Sequence, residues 1–292
     1  MSALRFGRIE RYVLVQQARS LGIALGVISA LIMLIDFVEI SRGVGSDVDL
    51  SAARILGLML LKSPQVIVQL LPFVFLFGTL AAFVALNRRS ELIAMRAAGL
   101  SAWRFVLPAA GAAFLFGVIT VTALGPLAAS ASLNAGRWRL LDAVGAQIGQ
   151  RAVRYETLDL LSSLADEEAF ERFARPQSTP FWSLPGQIGR VEAAGFSSTA
   201  YRLRLQQLLA TPLMFAAMSI LAAAFSLRLM RLGDLARMSL AAVVLGFGFF
   251  FINQAASAFG SAEVVPPWLA AWLPPLLTAL AAFTLLFYTE DG

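Results

Sequence analysis

Residues 105–127 read Phe-Val-Leu-Pro-Ala-Ala-Gly-Ala-Ala-Phe-Leu-Phe-Gly-Val-Ile-Thr-Val-Thr-Ala-Leu-Gly-Pro-Leu, with no charged side chain among them. At a rise of about 1.5 Å per residue, a helix over this run spans the roughly 30 Å hydrocarbon core of a bilayer. Residues 205–227, 238–259 and 265–288 are equally free of charge, and 20–40 and 55–86 complete a set of six apolar stretches. Inside hydrocarbon every backbone N–H and C=O needs a partner, which a helix supplies within its own segment. The ten-residue alternation of a membrane β-barrel is missing. The chain therefore reads as an α-helical polytopic membrane protein: six transmembrane helices in a 3+3 arrangement around a polar interval.

Composition agrees. The 292 residues are 59% hydrophobic and 14% charged, against about 45–50% and about 25% in soluble domains. Cys 0 and His 0 exclude a disulfide framework, Cys/His zinc sites, haem ligation by His and His-dependent catalytic triads. The single lysine, Lys62, lies in Leu-Lys-Ser-Pro (61–64), so the Gly-x-x-x-x-Gly-Lys-[Ser/Thr] phosphate loop is missing. The net charge of +5 is explained by basic residues flanking apolar helices, without invoking nucleic acid. No cofactor, metal or catalytic constellation is expected in this chain.

Arginine placement sets the orientation. Segments 1–19, 87–104 and 228–237 hold Arg5, Arg8, Arg11, Arg19, Arg88, Arg89, Arg96, Arg104, Arg228, Arg231 and Arg237. The short opposite connections hold Arg42 and Arg54 against Glu39, Asp47, Asp49 and Glu263. Positive residues in short loops mark the cytoplasmic side, so both termini are expected there. The domains follow: 1–127 as the N-terminal membrane half, 128–204 as an outside interval, and 205–292 as the C-terminal membrane half. Acidic residues after Ile35, without a small-x-small site, favour an uncleaved first helix. Phe6, Ile9 and Val13 recur at helical spacing beside Arg5, Arg8 and Arg11, as either a short helix on the membrane face or the basic flank of the first span. In the interval, 166–173 reads as a short polar helix, 176–185 as an extended linker and 187–194 as a further helix.

Between spans two and three runs Arg-Arg-Ser-Glu-Leu-Ile-Ala-Met-Arg-Ala-Ala-Gly (88–99). Ser90 is a candidate N-cap, Glu91 suits the positive helix end, Gly99 is a candidate terminator and Ser101 a cap for the third span. The result is a helix of about two turns within 90–99, either an ordinary amphipathic connection or a lever that carries a push from a soluble partner into the membrane.

This segment resembles the coupling helix of the lipopolysaccharide-export permeases, the LptF/LptG (YjgP/YjgQ) family. The resemblance continues in Lys-Ser-Pro-Gln (62–65), Leu-Pro-Phe-Val-Phe-Leu-Phe-Gly (71–78), Phe-Trp-Ser-Leu-Pro (181–185), residues 201–212 and Phe-Ile-Asn-Gln (251–254). It covers about five-sixths of the chain. Leu-Ile-Asp-Phe-Val-Glu (34–39) and the Lys-Ser-Pro segment are closer to the LptG branch than to LptF. The resemblance implies a multi-pass subunit of the Gram-negative inner membrane that pairs with an LptF-like permease above two LptB-like ATPase subunits. These bind ATP and Mg and drive lipopolysaccharide toward LptC-like and LptA-like periplasmic proteins. It also implies that Glu91 engages the ATPase, with Arg88, Arg89, Leu92, Met95 and Arg96 completing the docking surface, and that spans one and five are gates. The family carries a β-jellyroll between spans three and four, and the interval is too short for it. Residues 151–179 resemble its last strand and exit linker, so most of that domain is missing from this sequence, with the break around 145–152.

Charges near a bilayer are costly and mark functional candidates. Asp36, Arg42, Lys62, Arg137 and Arg139 are candidates for lipopolysaccharide contact, either as a polar rim around a phosphorylated headgroup or as interfacial side chains that snorkel. Asp36 would repel a phosphate unless paired with Lys62, Arg42 or a partner's basic residue. Small residues in spans four and five, among them Ala216, Ala217, 222–224, Gly246 and Gly248, suit close helix packing within the chain or against a partner. At least one of Phe249, Phe250 and Phe251 is expected to face inward. Trp268 and Trp272 mark the outer interfacial start of span six. Competing functions are a secondary transporter, which usually needs ionisable groups at the midplane or broken helices, and an assembly scaffold without ATPase coupling.

Overall fold

The computed structural model describes residues 7–43, 52–131, 176, 179–229 and 235–290. Among the described residues every regular element is helical and no strand occurs. In chain order they are α1 (Arg8–Gly43), α2 (Ala52–Arg88), α3 (Glu91–Ala97), α4 (Trp103–Ile119), α5 (Leu184–Ala193), α6 (Thr199–Leu229), α7 (Leu235–Ser261) and α8 (Pro267–Glu290). A π-helical turn, Thr120–Leu124, follows α4, and helix then continues to 131. Six helical stretches are long and apolar enough to cross a membrane: Arg8–Ile35, Ser63–Arg88, Trp103–Ala131, Thr199–Leu227, Val243–Ser261 and Pro267–Thr289. The sequence expectation of six spans holds.

The N-terminal basic stretch is not a separate surface helix, because α1 runs unbroken from Arg8. No Gly or Pro interrupts residues 8–21. Val13, Gln17 and Ser20 fall on one buried face, while Tyr12, Val15 and Arg19 face out, the i, i+4, i+7 pattern of one continuous helix.

Helix α6 is the central post, packed against α2, α4 and α8. Its small residues Ala217, Ala222, Ala223 and Ala224 are all at most 1% exposed, so the alanine run serves packing within the chain. Lipid tails are as apolar as leucine, so close van der Waals fit, not water release, holds such helices together. At one tight crossing Gly117 of α4 meets Pro212 of α6, where a Cβ on Gly117 would sit 2.5 Å from the Pro212 Cα. Phe75 and Phe215 stack nearby with centroids 4.7 Å apart. Toward the α3 end, a second cluster gathers Val13, Phe83, Leu92, Phe105 and Leu286.

One polar knot lies inside this packing. The Gln17 Nε2 amide lies within hydrogen-bonding reach of Thr79 Oγ1 (3.1 Å), Ser219 Oγ (3.0 Å) and, at 3.4 Å, the Ala109 carbonyl. It ties α1, α2 and α6 at one level beside α4.

The 176–185 segment departs from the expected extended linker. Pro180 is extended, but Phe181–Ser183 forms a 3₁₀ turn and α5 begins at Leu184. Pro185 is tolerated because the first helical turn has no N–H bond to lose. The expected helix near 187–194 is α5. Gly195 ends it at φ 82, with Gly195 N–H donating to the Glu192 carbonyl and Phe196 N–H to the Val191 carbonyl, a Schellman closure.

Candidate functional site

Helix α3 lies wedged at one end of the bundle. Only Arg89 and Ser90 separate it from α2, so the chain must reverse at once. Ser90 does this in the left-handed region (φ 58) and makes no side-chain cap bond, contrary to its expected capping role. Its carbonyl accepts from Ala94 N–H, while its own N–H donates to the Asn87 carbonyl. Gly99 terminates α3 as expected, at φ 80, with Gly99 N–H donating to the Arg96 carbonyl and Leu100 N–H to the Met95 carbonyl. Ser101 Oγ accepts from Trp103 N–H at 3.3 Å, opening α4.

The side chains of α3 divide by face. Leu92 is 2% exposed and sits in the cluster with Val13, Phe83 and Phe105, with Met95 packed against it. Leu92 therefore anchors the helix and does not offer itself to a partner. Arg88 and Arg89 are exposed. Arg96 Nη2 donates to the Thr289 carbonyl at 3.0 Å, fastening α3 to the end of α8. Glu91 Oε1 accepts from the Tyr12 hydroxyl at 3.1 Å, while its Oε2 is buried with no partner among the described residues. Glu10 Oε1 faces Arg104 Nε at 3.4 Å, so the start of α1 is tied to both α3 and α4. Between these anchors Ile93 stands 60% exposed, an apolar knob that the motif reading did not single out. Its signal was its position, two residues beyond Glu91 on a helix whose Leu92 turns inward.

At the opposite end, α2, the π-turn with the helix that continues it, α6 and α7 line a cavity of about 530 Å³, within the usual range for small-molecule sites. Gln65 and Gln69 of α2, Arg204 and Gln207 of α6, and Asn253 and Gln254 of α7 line it together with Phe249. Gln207 Nε2 donates to Ser257 Oγ at 3.0 Å. Phe249 is 7% exposed and meets Phe73 edge-on, which makes it the inward member of its trio; Phe250 and Phe251 are exposed. The π-turn contributes Thr120 and Val121 to the wall. Single π-turns within α-helices often mark functional positions. Trp182 Nε1 donates to the Thr122 carbonyl at 3.1 Å, pinning the 3₁₀ turn to this wall.

Arg204 stands directly before the charge-free run 205–227, so pattern alone reads it as a flank. Helix α6 starts at Thr199, which draws Arg204 into the bundle. Its Nε is buried and has no hydrogen-bond partner among the described residues. Around the rim, two carboxylates hold the loops. Hydrogen bonds from Ser198 and Arg202 keep Glu192 below its ordinary carboxylate range, and those from Thr199 and Ser197 do the same for Glu263. Trp272 Nε1 donates to Gln206 Oε1 at 3.0 Å. The side chains of Asp36, Arg42, Lys62, Arg137 and Arg139, and the expected helix at 166–173, lie outside the described residues.

A multi-pass helical bundle with a short helix fixed between spans at one end and a polar-lined cavity at the other has the build of a membrane permease. The chain belongs to the lipopolysaccharide export system permease LptF/LptG family, whose model matches residues 11–140 and 126–288. Compared with curated proteins, the chain finds no match. Family membership makes it a membrane transport subunit of lipopolysaccharide export.

Proposed function

We propose that this chain is the LptG-type permease of an ATP-driven lipopolysaccharide extractor, partnered by an LptF-like permease and two LptB-like ATPase subunits that carry ATP and Mg. The α3 end and both termini face the cytoplasm, and the cavity end faces the periplasm, where LptC-like and LptA-like proteins receive the glycolipid. The interval 128–204 is the remnant of a jellyroll and its linkers.

The observation that carries this reading is the state of Glu91. Its carboxylate is half-buried, one oxygen meets Tyr12, and the other is closed off from water without a donor. A buried acceptor left unpaired costs about 1–3 kcal/mol, more when charged, and a movement of α3 that opened Oε2 to a cationic donor of the docking ATPase would remove that cost. Arg88, Arg89 and the Ile93 knob surround it with charge and apolar contact area. Because Leu92, Met95 and the Arg96–Thr289 bond fix α3 to the bundle, a displacement of α3 would be shared by α1, α2, α4 and α8. Asp36, Arg42, Lys62, Arg137 and Arg139 are assigned to headgroup contact in the outer half.

Reversal of the acid tests the coupling. In proteoliposomes holding the whole assembly, Glu91→Lys is expected to cut ATP-driven lipopolysaccharide release at least tenfold and to reduce co-purification of the ATPase. Undiminished release would overturn the reading. Lys62→Ala with Arg137→Ala is expected to weaken lipopolysaccharide crosslinking while leaving ATPase retention intact.

A further inference from the structure

We propose that the cavity between α2, the π-turn after α4, α6 and α7 is a subsite for a lipid phosphate, with the Arg204 guanidinium as the group that pairs with it. The inference rests on the export reading above and deepens it, adding a binding residue in the wall of the bundle.

The guanidinium is the reason a ligand is needed. A cation inside a membrane bundle is expected to pair or to reach water; Arg204 is half-buried beside the cavity, and its Nε is buried with no hydrogen-bond partner among the described residues. Among the described residues the cavity lining contains no carboxylate that could neutralise it. The lining holds instead the amides of Gln65, Gln69, Gln207, Asn253 and Gln254. Amides both donate and accept, which suits the hydroxyl and phosphate oxygens of a sugar headgroup. Arg pairs with phosphate through two parallel bonds from its planar fork. At about 530 Å³, the space fits a phosphorylated headgroup far better than a bundle of acyl chains. A phosphate here would satisfy Nε and replace the water that a charged headgroup gives up on leaving the membrane surface.

The test uses the purified full assembly and three probes: bisphosphorylated lipid A, lipid A stripped of phosphate, and phosphatidylglycerol. Arg204→Gln is expected to weaken bisphosphorylated lipid A by about tenfold or more, as for loss of a charge-assisted bond, and to leave the phosphate-free lipid unaffected. Arg204→Lys is expected to fall between, keeping the charge but losing the fork. Confinement of the loss to lipid A identifies the glycolipid as the source of the phosphate. An equal loss with phosphatidylglycerol identifies a bilayer phospholipid.

Without lipid, Arg204→Gln should not lower the thermal midpoint, because no intramolecular bond to Nε is removed. Unchanged affinity for both phosphate lipids, an equal loss for phosphate-free lipid A, or a lowered lipid-free midpoint would each overturn the subsite. Failure of the unsubstituted assembly to extract glycolipid would sink the export reading while leaving phosphate dependence measurable. An assembly that extracts normally but binds lipid independently of Arg204 would sink the subsite alone.

Discussion

At position 17 a single amide does work that no apolar side chain could copy. Gln17 is 2% exposed, and its two N–H groups have three acceptors within reach, so the 3.4 Å approach to Ala109 is the weakest claimant. Interhelical hydrogen bonds in membranes average about 0.6 kcal/mol and reach about 1.7. Thr79 and Ser219 lie 3.3 Å apart and bond to each other, so they are not orphaned when the amide goes. Gln17→Ala should therefore lower stability by only about 1–2 kcal/mol, read as a shift in detergent denaturation. Neighbouring positions on α3 separate packing from docking in the same way. Leu92→Ala should cost about 2–5 kcal/mol, as for other emptied core sites. Ile93→Ser should stay within about 0.5 kcal/mol while loosening retention of the ATPase in pull-downs.

The elements show where helices can approach and where they are held apart. The crossing of α4 and α6 depends on Gly117, since even a methyl group would stand 2.5 Å from Pro212 backbone. Gly117→Ala must push the two helices apart and should cost about 1–3 kcal/mol, the usual range for overpacking. It should also alter solvent access to the cavity beside that crossing, which cysteine labelling at Thr211 would report. The loops at the cavity end rest on Glu192 and Glu263, both exposed and both with pKa values depressed from 4.5 by hydroxyl donors, helped at Glu192 by Arg202. A depressed carboxylate contributes stability above its unfolded pKa and loses it as pH falls through the folded value. Amide protection across residues 195–199 should thus be full at pH 7 and decline below about 4.5, as measured by hydrogen exchange corrected for intrinsic rates. Unchanged protection at pH 7 after Glu192→Gln with Glu263→Gln would show that α5 packing, not these carboxylates, fixes the loops.

Across the whole molecule, the spans were legible because hydrocarbon imposes length and apolarity on each one separately, and Gly99 was legible because a two-turn helix with a left-handed end needs it. What pattern reading lost was relational. Leu92 and Ile93 are adjacent apolar residues, and only the packing of α3 against Val13 and Phe105 decides which faces inward. Arg204 looked like a flank until the start of α6 at Thr199 carried it into the bundle. The π-turn at Thr120–Leu124 leaves no mark in composition at all. A contact that bears on the proposed coupling is of the same kind, joining residues 79 positions apart: Tyr12 of α1 donates to Glu91 of α3 at 3.1 Å. If α3 receives the push of the ATPase and α1 is a gate, this bond is one route between them, alongside Glu10–Arg104. A hydrogen bond to a carboxylate is worth about 1.5–3 kcal/mol, so its loss should shift the balance of gate positions by about ten- to 160-fold at most. Tyr12→Phe should therefore retain the ATPase and its ATP hydrolysis while lowering lipopolysaccharide released per ATP several-fold. Glu91→Lys, by contrast, should lose both. Equal losses of hydrolysis and release in Tyr12→Phe would mean that the hydroxyl serves docking, and that motion reaches α1 through its packing against α2.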